Sequence, residues 1–282
     1  MREAALAKAP QRPSYRLAAA MSGIAAAAAG ALLWLGVATN PVDGPVGPRG
    51  ADMRSASVEN GIYHTGIYHT GIGERSAILL PDGSLATLDT DSELQVNYSR
   101  SERAVILAKG QALFEVAEGK PLPFQVYAGD QRITAIGTTF NVKLHGGQVR
   151  VSMVEGVVKV RPTKPPKDRG APVQELTLRA GESLVAGASL PATVQSVDTS
   201  QVATWRGGMI VFEDEKLSEA IAEINRYTNK PIRLADASVG EYRVTGVFKT
   251  NDPARFARAM SEVFPVEVER RADGSAVLKA ER

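Results

Sequence analysis

The stretch that decides the fold is Gln148 to Val160, QVRVSMVEGVVKV, in which apolar and polar side chains alternate. Val149, Val151 and Met153 fall on one face of an extended chain, as expected of a strand with one buried face. Gly156 interrupts the alternation, where a turn or a bulge is needed. The stretch therefore predicts strands and not a helix.

The same pattern continues on both sides, over residues 61–200. Short apolar runs such as AVILAKGQALFEVA and LTLRAGESLVAG are separated by glycine-containing turns, and Pro81-Asp82-Gly83-Ser84 has turn chemistry. The proline-rich and charged run from Arg161 to Ala171 predicts a long exposed hairpin loop. Many short strands at near-regular spacing predict an all-β domain, either a sandwich, a barrel or an irregular solenoid.

Residues 205–282 have a different pattern, in which strands alternate with helices. Leu217, Ala220, Ile221 and Ile224 share one face of a predicted helix. A second predicted helix begins with Asp252 as its N-cap and proline at the first helical position. A hairpin is expected around residues 272–274. The order predicts a small α+β domain of the β-α-β-β-α-β type.

An uncharged run from Leu17 to Ala38 is long enough to cross a bilayer as a helix. Four basic residues and one acid precede it, so the positive-inside rule predicts a cytoplasmic tail over residues 1–16 and an exported body. The rich proline and glycine content after it predicts a linker over residues 39–60. A cleavable signal peptide ending at Ala38 is the alternative, because residues 36 and 38 are small.

Composition excludes several classes of function. The net charge of +2 and the 6% aromatic content argue against a nucleic-acid binder, and the chain has no cysteine for thiol catalysis or disulfides. His64 and His69, in a duplicated GIYHT segment, lack an interleaved acidic partner, so we expect no metal site or cofactor. Asp82, Asp89, Asp91 and Glu93 suggest an acid/base pair or a calcium loop, but their spacing lacks the calcium-loop pattern, and turn capping explains Asp82 better. No motif of an enzyme acting on an external substrate is present.

Several stretches together resemble the FecR family of membrane-anchored regulators of iron-responsive sigma factors. They include LLPDGSLATLDTDSELQV, RAVILAKGQALFEVAEGKPLPFQV, AIGTTFNV and VRVSMVEGVVKV, and later WRGGMIVFEDEKLSEAIAEINRYTNKPIRL. The last module resembles the short N-terminal domain of secretins and TonB-dependent receptors. The resemblance covers the chain from about Thr70 to its end.

The resemblance implies a single-pass protein of the bacterial inner membrane whose body lies in the periplasm. Its partners would be the signalling domain of a TonB-dependent outer-membrane receptor and an extracytoplasmic-function sigma factor, controlled by regulated proteolysis as an anti-sigma factor. Family members carry a cytoplasmic domain before the anchor, whereas 16 residues precede Leu17 here. Either the true start lies upstream, or direct sigma control has been lost. An envelope-binding structural module and a secreted protein are the alternative functions.

The resemblance also implies two sets of site residues. Gly137 and Thr138 match the pair at which some family members cleave themselves, and a threonine hydroxyl has the chemistry to attack the preceding carbonyl. The alternative is a bulge glycine followed by a β-favouring threonine. In the C-terminal module, an exposed strand edge is expected to bind the receptor by β-augmentation. The candidate residues there are Met209, Val211, Phe212, Val244, Val247 and Phe248. The alternative is that both strands that carry them are ordinary core strands.

Overall fold

A computed structural model describes residues 56–57, 64–164, 174–187 and 190–281. All of these residues fall within one compact unit. The predicted tail (1–16) and transmembrane helix (17–38) lie outside the described residues, as does nearly all of the predicted linker. Neither α-helix in the described part of the chain has the length and apolar character that crossing a membrane requires.

The N-terminal domain consists of β-strands arranged in two sheets that share one strand. The first sheet contains, in spatial order, β1 (Ala56–Ser57), β2 (His64–His69), β5 (Glu93–Tyr98), β6 (Arg103–Glu115), β7 (Phe124–Ala128), β8 (Gln131–Ala135), β11 (Val157–Pro162) and β12 (Leu176–Arg179). The second contains β3 (Ser76–Leu79), β4 (Leu85–Leu88), β6 again, β9 (Thr139–His145), β10 (Gln148–Glu155), β13 (Glu182–Gly187) and β14 (Leu190–Ser196). Neighbouring strands are antiparallel except for β6 and β7, which are parallel.

The shared strand β6 bends near Gly110 as it passes from one sheet to the other. Its first part pairs with β5 and β7, and its last part pairs with β4 and β9. Gly110 has a φ of +85°, and a Cβ there would lie 2.2 Å from Ser92 Oγ. Only glycine fits this backbone conformation and this close approach, so residue 110 allows the bend.

Both sheets contribute side chains to one apolar core. Phe114, Phe124 and Phe140 are fully buried there, with Phe114 lying 5.7 Å from Phe124 and 5.4 Å from Phe140 between ring centroids. The prediction of a mainly β domain is therefore confirmed. The strand prediction for residues 148–160 is confirmed, because β10 and β11 are separated only by Gly156, where φ is +81°.

The C-terminal module follows a short 3₁₀ turn at Thr204–Gly207. It contains β15 (Met209–Lys216), α1 (Leu217–Asn225), β16 (Ile232–Leu234), β17 (Arg243–Lys249), α2 (Pro253–Val263), β18 (Val266–Arg270) and β19 (Ala276–Ala280). β15 pairs with β17, while β19 lies between β16 and β18. The predicted β-α-β-β-α-β order has one strand too few, because two strands, β18 and β19, follow α2 and form the expected closing hairpin. The buried face of α1 and the cap of α2 are confirmed, since Asp252 Oδ1 accepts from Arg255 N at 3.0 Å.

Candidate functional site

The Gly137–Thr138 pair lies in the tight connection between β8 and β9. Gly137 has a φ of +58°, and a Cβ at this position would lie 2.5 Å from Glu118 Cγ. The carbonyl oxygen of Thr138 accepts a hydrogen bond from Val116 N at 2.9 Å, just beyond the end of β6. The peptide bond between the two residues is therefore held against the end of the bent strand.

The side chain of Thr138 is enclosed but makes no hydrogen bond. The residue is 3% exposed, and within the described part of the chain its Oγ1 has no partner. Gly156 packs against it so closely that a Cβ on Gly156 would lie 2.7 Å from Thr138 Cγ2. A buried hydroxyl without a partner is costly in a core, and such groups recur at functional positions.

A cavity of about 230 Å³ lies beside this turn and is lined by three carboxylates. Another cavity, of about 280 Å³, lies elsewhere on the surface. Glu115 and Glu155 each stand opposite Thr139, on the β6 and β10 sides of β9. Glu118 lies against Gly137. The arrangement places a hydroxyl, a glycine carbonyl and several carboxylates together, which are the groups needed for attack on a peptide bond.

A second cluster of polar side chains joins α1 of the module to the β domain. Tyr227 donates its hydroxyl to Asp89 Oδ2 at 2.5 Å, and Arg226 Nη2 lies 3.4 Å from the same oxygen. Thr90 Oγ1 donates to the carbonyl oxygen of Arg226 at 3.0 Å, and Arg226 Nη1 donates to Gln111 Oε1 at 2.9 Å. Burial raises the pKa of Asp89, and the Tyr227 hydrogen bond and the Arg226 charge offset this only in part.

Glu223 extends this cluster, because it pairs with both Lys143 of the β domain and Arg226, the C-cap residue of α1. The distance from Arg226 Nη1 to Glu223 Oε1 is 2.6 Å. Burial alone would raise the pKa of the Glu223 carboxyl, but the charges of Lys143 and Arg226 outweigh it and hold that pKa below its usual value. Glu223 is therefore an anion between two cations at the domain interface.

The segment between the domains is fixed by a third group of contacts. Arg75 Nη1 donates to the carbonyl oxygens of Trp205 and Arg206, the latter at 3.1 Å. Arg206 Nη1 lies 3.4 Å from Glu115 Oε1, at the edge of the cavity beside Thr138. The two domains have separate apolar cores, and these polar contacts join them.

The predicted partner-binding residues occupy two different environments. Phe212 and Val244 are buried in the core of the module, and Phe248 is half-buried against that core. Met209 and Val211 are half-exposed, and Val247 is 58% exposed on the opposite face. Among the described strands, β15 and β17 pair only with each other, so each has one free edge.

Sequence reasoning missed the interface residues. It considered Asp89 only as part of an acid/base pair or a calcium loop and did not consider Lys143, Glu223, Arg226 or Tyr227. The spacing of Glu223 and Arg226 is typical of an exposed ion pair on a helix, which carries no sign of burial. Asp82, expected to cap a turn, does so by accepting from Ser84 N at 3.0 Å. Within the described residues, no group of side chains is suited to a metal ion.

These features define a class of protein by its architecture: an antiparallel β domain built around one bent strand, joined through polar contacts to an α+β module. Comparison with known families shows what the first part of the chain is similar to. Residues 66–159 match the family model described as FecR protein. The resemblance to the FecR family is therefore confirmed over these residues. No curated protein sequence matches the chain.

Two solved structures of a candidate anti-sigma factor from Parabacteroides distasonis have a similar fold. The crystal structure at 2.50 Å resolution has a TM-score of 0.65 and 20% sequence identity, covering 77% of this chain and 99% of that one. The structure at 1.65 Å has the same TM-score and identity, covering 76% and 98%. The shared part is longer than the β domain alone, so the common fold includes residues of the α+β module. At this identity the likeness shows the fold.

Proposed function

We propose that the chain is a membrane-anchored regulator of the anti-sigma type. The observation that carries the proposal is the match of residues 66–159 to the FecR family model. The proposal is supported by the fold that this chain shares with nearly the whole length of a candidate anti-sigma factor. Co-expression with an extracytoplasmic-function sigma factor and a reporter of its promoter tests the output. Anti-sigma activity predicts that the chain lowers reporter expression, and an unchanged reporter across candidate sigma factors favours an envelope-binding structural module.

The topology is proposed from the sequence alone. Residues 17–38 anchor the chain in the inner membrane, residues 1–16 remain in the cytoplasm, and the body lies in the periplasm. A fusion of alkaline phosphatase after residue 60 should be active, and the same fusion after residue 16 inactive. N-terminal sequencing of the mature chain distinguishes an anchor from a signal peptide, because cleavage after Ala38 would leave a chain beginning at residue 39.

The input is proposed to come from the signalling domain of a TonB-dependent receptor, bound at a free edge of β15 or β17. Val247, Val211 and Met209 are the accessible apolar side chains of these strands. Val247→Lys is expected to weaken capture of the receptor domain by the full chain. Val263→Lys is the matched control, because Val263 is also exposed, at 71%, but lies on α2. Equal capture by wild type and Val247→Lys would exclude this strand surface.

The Gly137–Thr138 bond is proposed as a site of self-cleavage. The enclosed hydroxyl without a partner and the positive φ of Gly137 support this chemistry. Wild type is expected to give two chains on a denaturing gel and Thr138→Ala one. Thr139→Ala, which changes the neighbouring half-buried threonine, should still give two. If wild type and Thr138→Ala migrate alike, self-cleavage at this bond is wrong.

A further inference from the structure

The cavity beside Thr138 contains three glutamates whose surroundings differ. Glu115 is paired with Arg206, at 3.4 Å. Glu155 extends from β10 opposite Thr139, one residue beyond the candidate bond. Glu118 packs against Gly137, the residue on the carbonyl side of the candidate bond: a Cβ placed on Gly137 would lie 2.5 Å from Glu118 Cγ and 3.2 Å from its Oε1. Of the three, Glu118 is packed on the residue whose carbonyl would be attacked.

A threonine hydroxyl is a weak nucleophile unless a nearby base takes its proton. Thr138 Oγ1 has no hydrogen-bond partner among the described residues, so no neighbour activates it in the resting arrangement. The titratable side chains that line the cavity are the three glutamates. These carboxylates are therefore the candidate proton acceptors in the cavity, and that of Glu115 is already paired with Arg206.

We propose that Glu118 is the proton carrier for cleavage of the Gly137–Thr138 bond, an inference that rests on the proposed self-cleavage. In the first step Thr138 Oγ1 bonds to the carbonyl carbon of Gly137, and the hydroxyl proton passes to the Glu118 carboxylate. The bond from that carbon to the Thr138 nitrogen then breaks. The nitrogen takes the proton back from Glu118 and becomes the amine of a new N-terminus, which leaves Gly137 joined to Thr138 through an ester.

Water completes the reaction by the same route. A water molecule attacks the ester carbon and gives one proton to the Glu118 carboxylate. The bond to Thr138 Oγ1 breaks, and that oxygen receives the proton. The products are a carboxylic acid at Gly137 and a free threonine at the start of the second chain, so that one water is consumed in total. Gly137 is half-buried and lines the open cavity beside Glu118, which gives water a route to the ester carbon.

Glu118 is exposed to solvent, so the proposal is easy to test, because replacing an exposed glutamate leaves no buried group unsatisfied. The full chain is made by cell-free synthesis with a short pulse of labelled methionine, and the intact fraction is followed on denaturing gels after the pulse. Glu118→Gln is expected to slow the conversion by on the order of 10²-fold, the usual contribution of a positioned acid–base group. Glu118→Asp should restore part of the rate. Glu262→Gln, an exposed change on α2, should match wild type.

Chemical rescue by formate distinguishes a chemical role of Glu118 from a purely structural one. Formate added to Glu118→Ala supplies a small carboxylate to the open cavity, and it should accelerate cleavage of that variant without affecting wild type. The proposal is overturned if Glu118→Gln cleaves as fast as wild type, if formate has no effect on Glu118→Ala, or if Glu155→Gln is slowed more than Glu118→Gln.

Failure of the underlying self-cleavage gives a different pattern from failure of the Glu118 role. If wild type remains one chain, or if Thr138→Ala cleaves like wild type, the bond is not cut by this hydroxyl and both proposals fall. If wild type is cut, Thr138→Ala is not, and Glu118→Gln is cut at the wild-type rate, self-cleavage stands and the assignment of Glu118 is wrong.

Discussion

Replacing Tyr227 by phenylalanine would remove a single hydroxyl from the interface between the two domains. That hydroxyl donates to Asp89 Oδ2 at 2.5 Å, and Asp89 is 0% exposed. After the change, Arg226 Nη2 remains 3.4 Å from this oxygen. A hydrogen bond to a charged group contributes about 1.5–3 kcal/mol, so we expect Tyr227→Phe to lower the free energy of unfolding by about 2 kcal/mol at neutral pH.

The fluorescence of Trp205 provides the assay, because this side chain is 4% exposed in the segment that joins the domains. Trp34→Phe is introduced in both proteins so that Trp205 is the only tryptophan, and each full chain is titrated with urea in detergent. For Tyr227→Phe, the urea concentration at the unfolding midpoint should fall, while the slope of the free energy of unfolding against urea concentration should stay the same. Tyr242→Phe is the control, because its hydroxyl makes no hydrogen bond within the described residues, and it should change stability by less than about 0.5 kcal/mol.

The pH dependence of the Tyr227→Phe effect follows from the direction of the Asp89 pKa. Burial raises this pKa in the folded protein, so the folded state binds the proton more readily than the unfolded state. Stability from this group is therefore greatest at acid pH and is lost as pH rises through the folded-state pKa. The deficit of Tyr227→Phe should shrink in acid, where Asp89 carries no charge. Equal losses for Tyr227→Phe and Tyr242→Phe, or a deficit that grows in acid, would refute this reasoning.

Three further changes test other parts of the structure. Gly156→Ala and Gly119→Ala both place a Cβ at positive φ, but only the Cβ at residue 156 meets another group, Thr138 Cγ2 at 2.7 Å. In urea titrations, Gly156→Ala should therefore lower the free energy of unfolding by about 1–3 kcal/mol more than Gly119→Ala does. An equal loss in the two variants would contradict this packing. Asp252→Ala removes the N-cap of α2 and should lower stability by about 1 kcal/mol, whereas Asp252→Asn should retain most of it in thermal melts. Burial would raise the pKa of Asp82, but the hydrogen bonds that its carboxylate accepts from Ser84 and Arg103 outweigh burial and lower this pKa. Asp82→Asn should therefore be less stable than wild type at neutral pH, and the difference in stability should disappear as pH falls below about 4.

The sequence was sufficient where local chemistry determines the structure. Alternation over residues 148–160 predicted β10 and β11, and the aspartate–proline pair at residues 252–253 predicted the start of α2. In both cases the signal lies within a few residues, in side-chain periodicity or in a capping group. The parallel pairing of β6 with β7 was not predicted, because the residues that pair are distant in the sequence and their local pattern is the same for either direction.

The interface was not predictable for a related reason. Asp89 meets Tyr227 across 138 positions in the sequence, and Lys143 meets Glu223 across 80. Each of these residues taken alone resembles an ordinary surface group, and only the docking of the domains buries them. The family resemblance predicted the candidate bond at Gly137. It did not predict Glu118, because Glu118 comes close to Gly137 only when the turn packs on the end of β6.

The strand β6 places the domain interface and the candidate bond on one element. Gln111 of this strand accepts a hydrogen bond from Arg226, Glu115 pairs with Arg206, and Val116 immediately after it holds the carbonyl of Thr138. At about 3.3 Å per residue, the first and last of these positions are about 17 Å apart along the strand. Because the domains have separate cores, undocking the module would break polar interactions without opening either core, and polar interfaces of this kind are the ones that separate most readily. Undocking would remove the contacts of Arg226 and Arg206 from β6 and would leave its pairing with β4 and β9 in place.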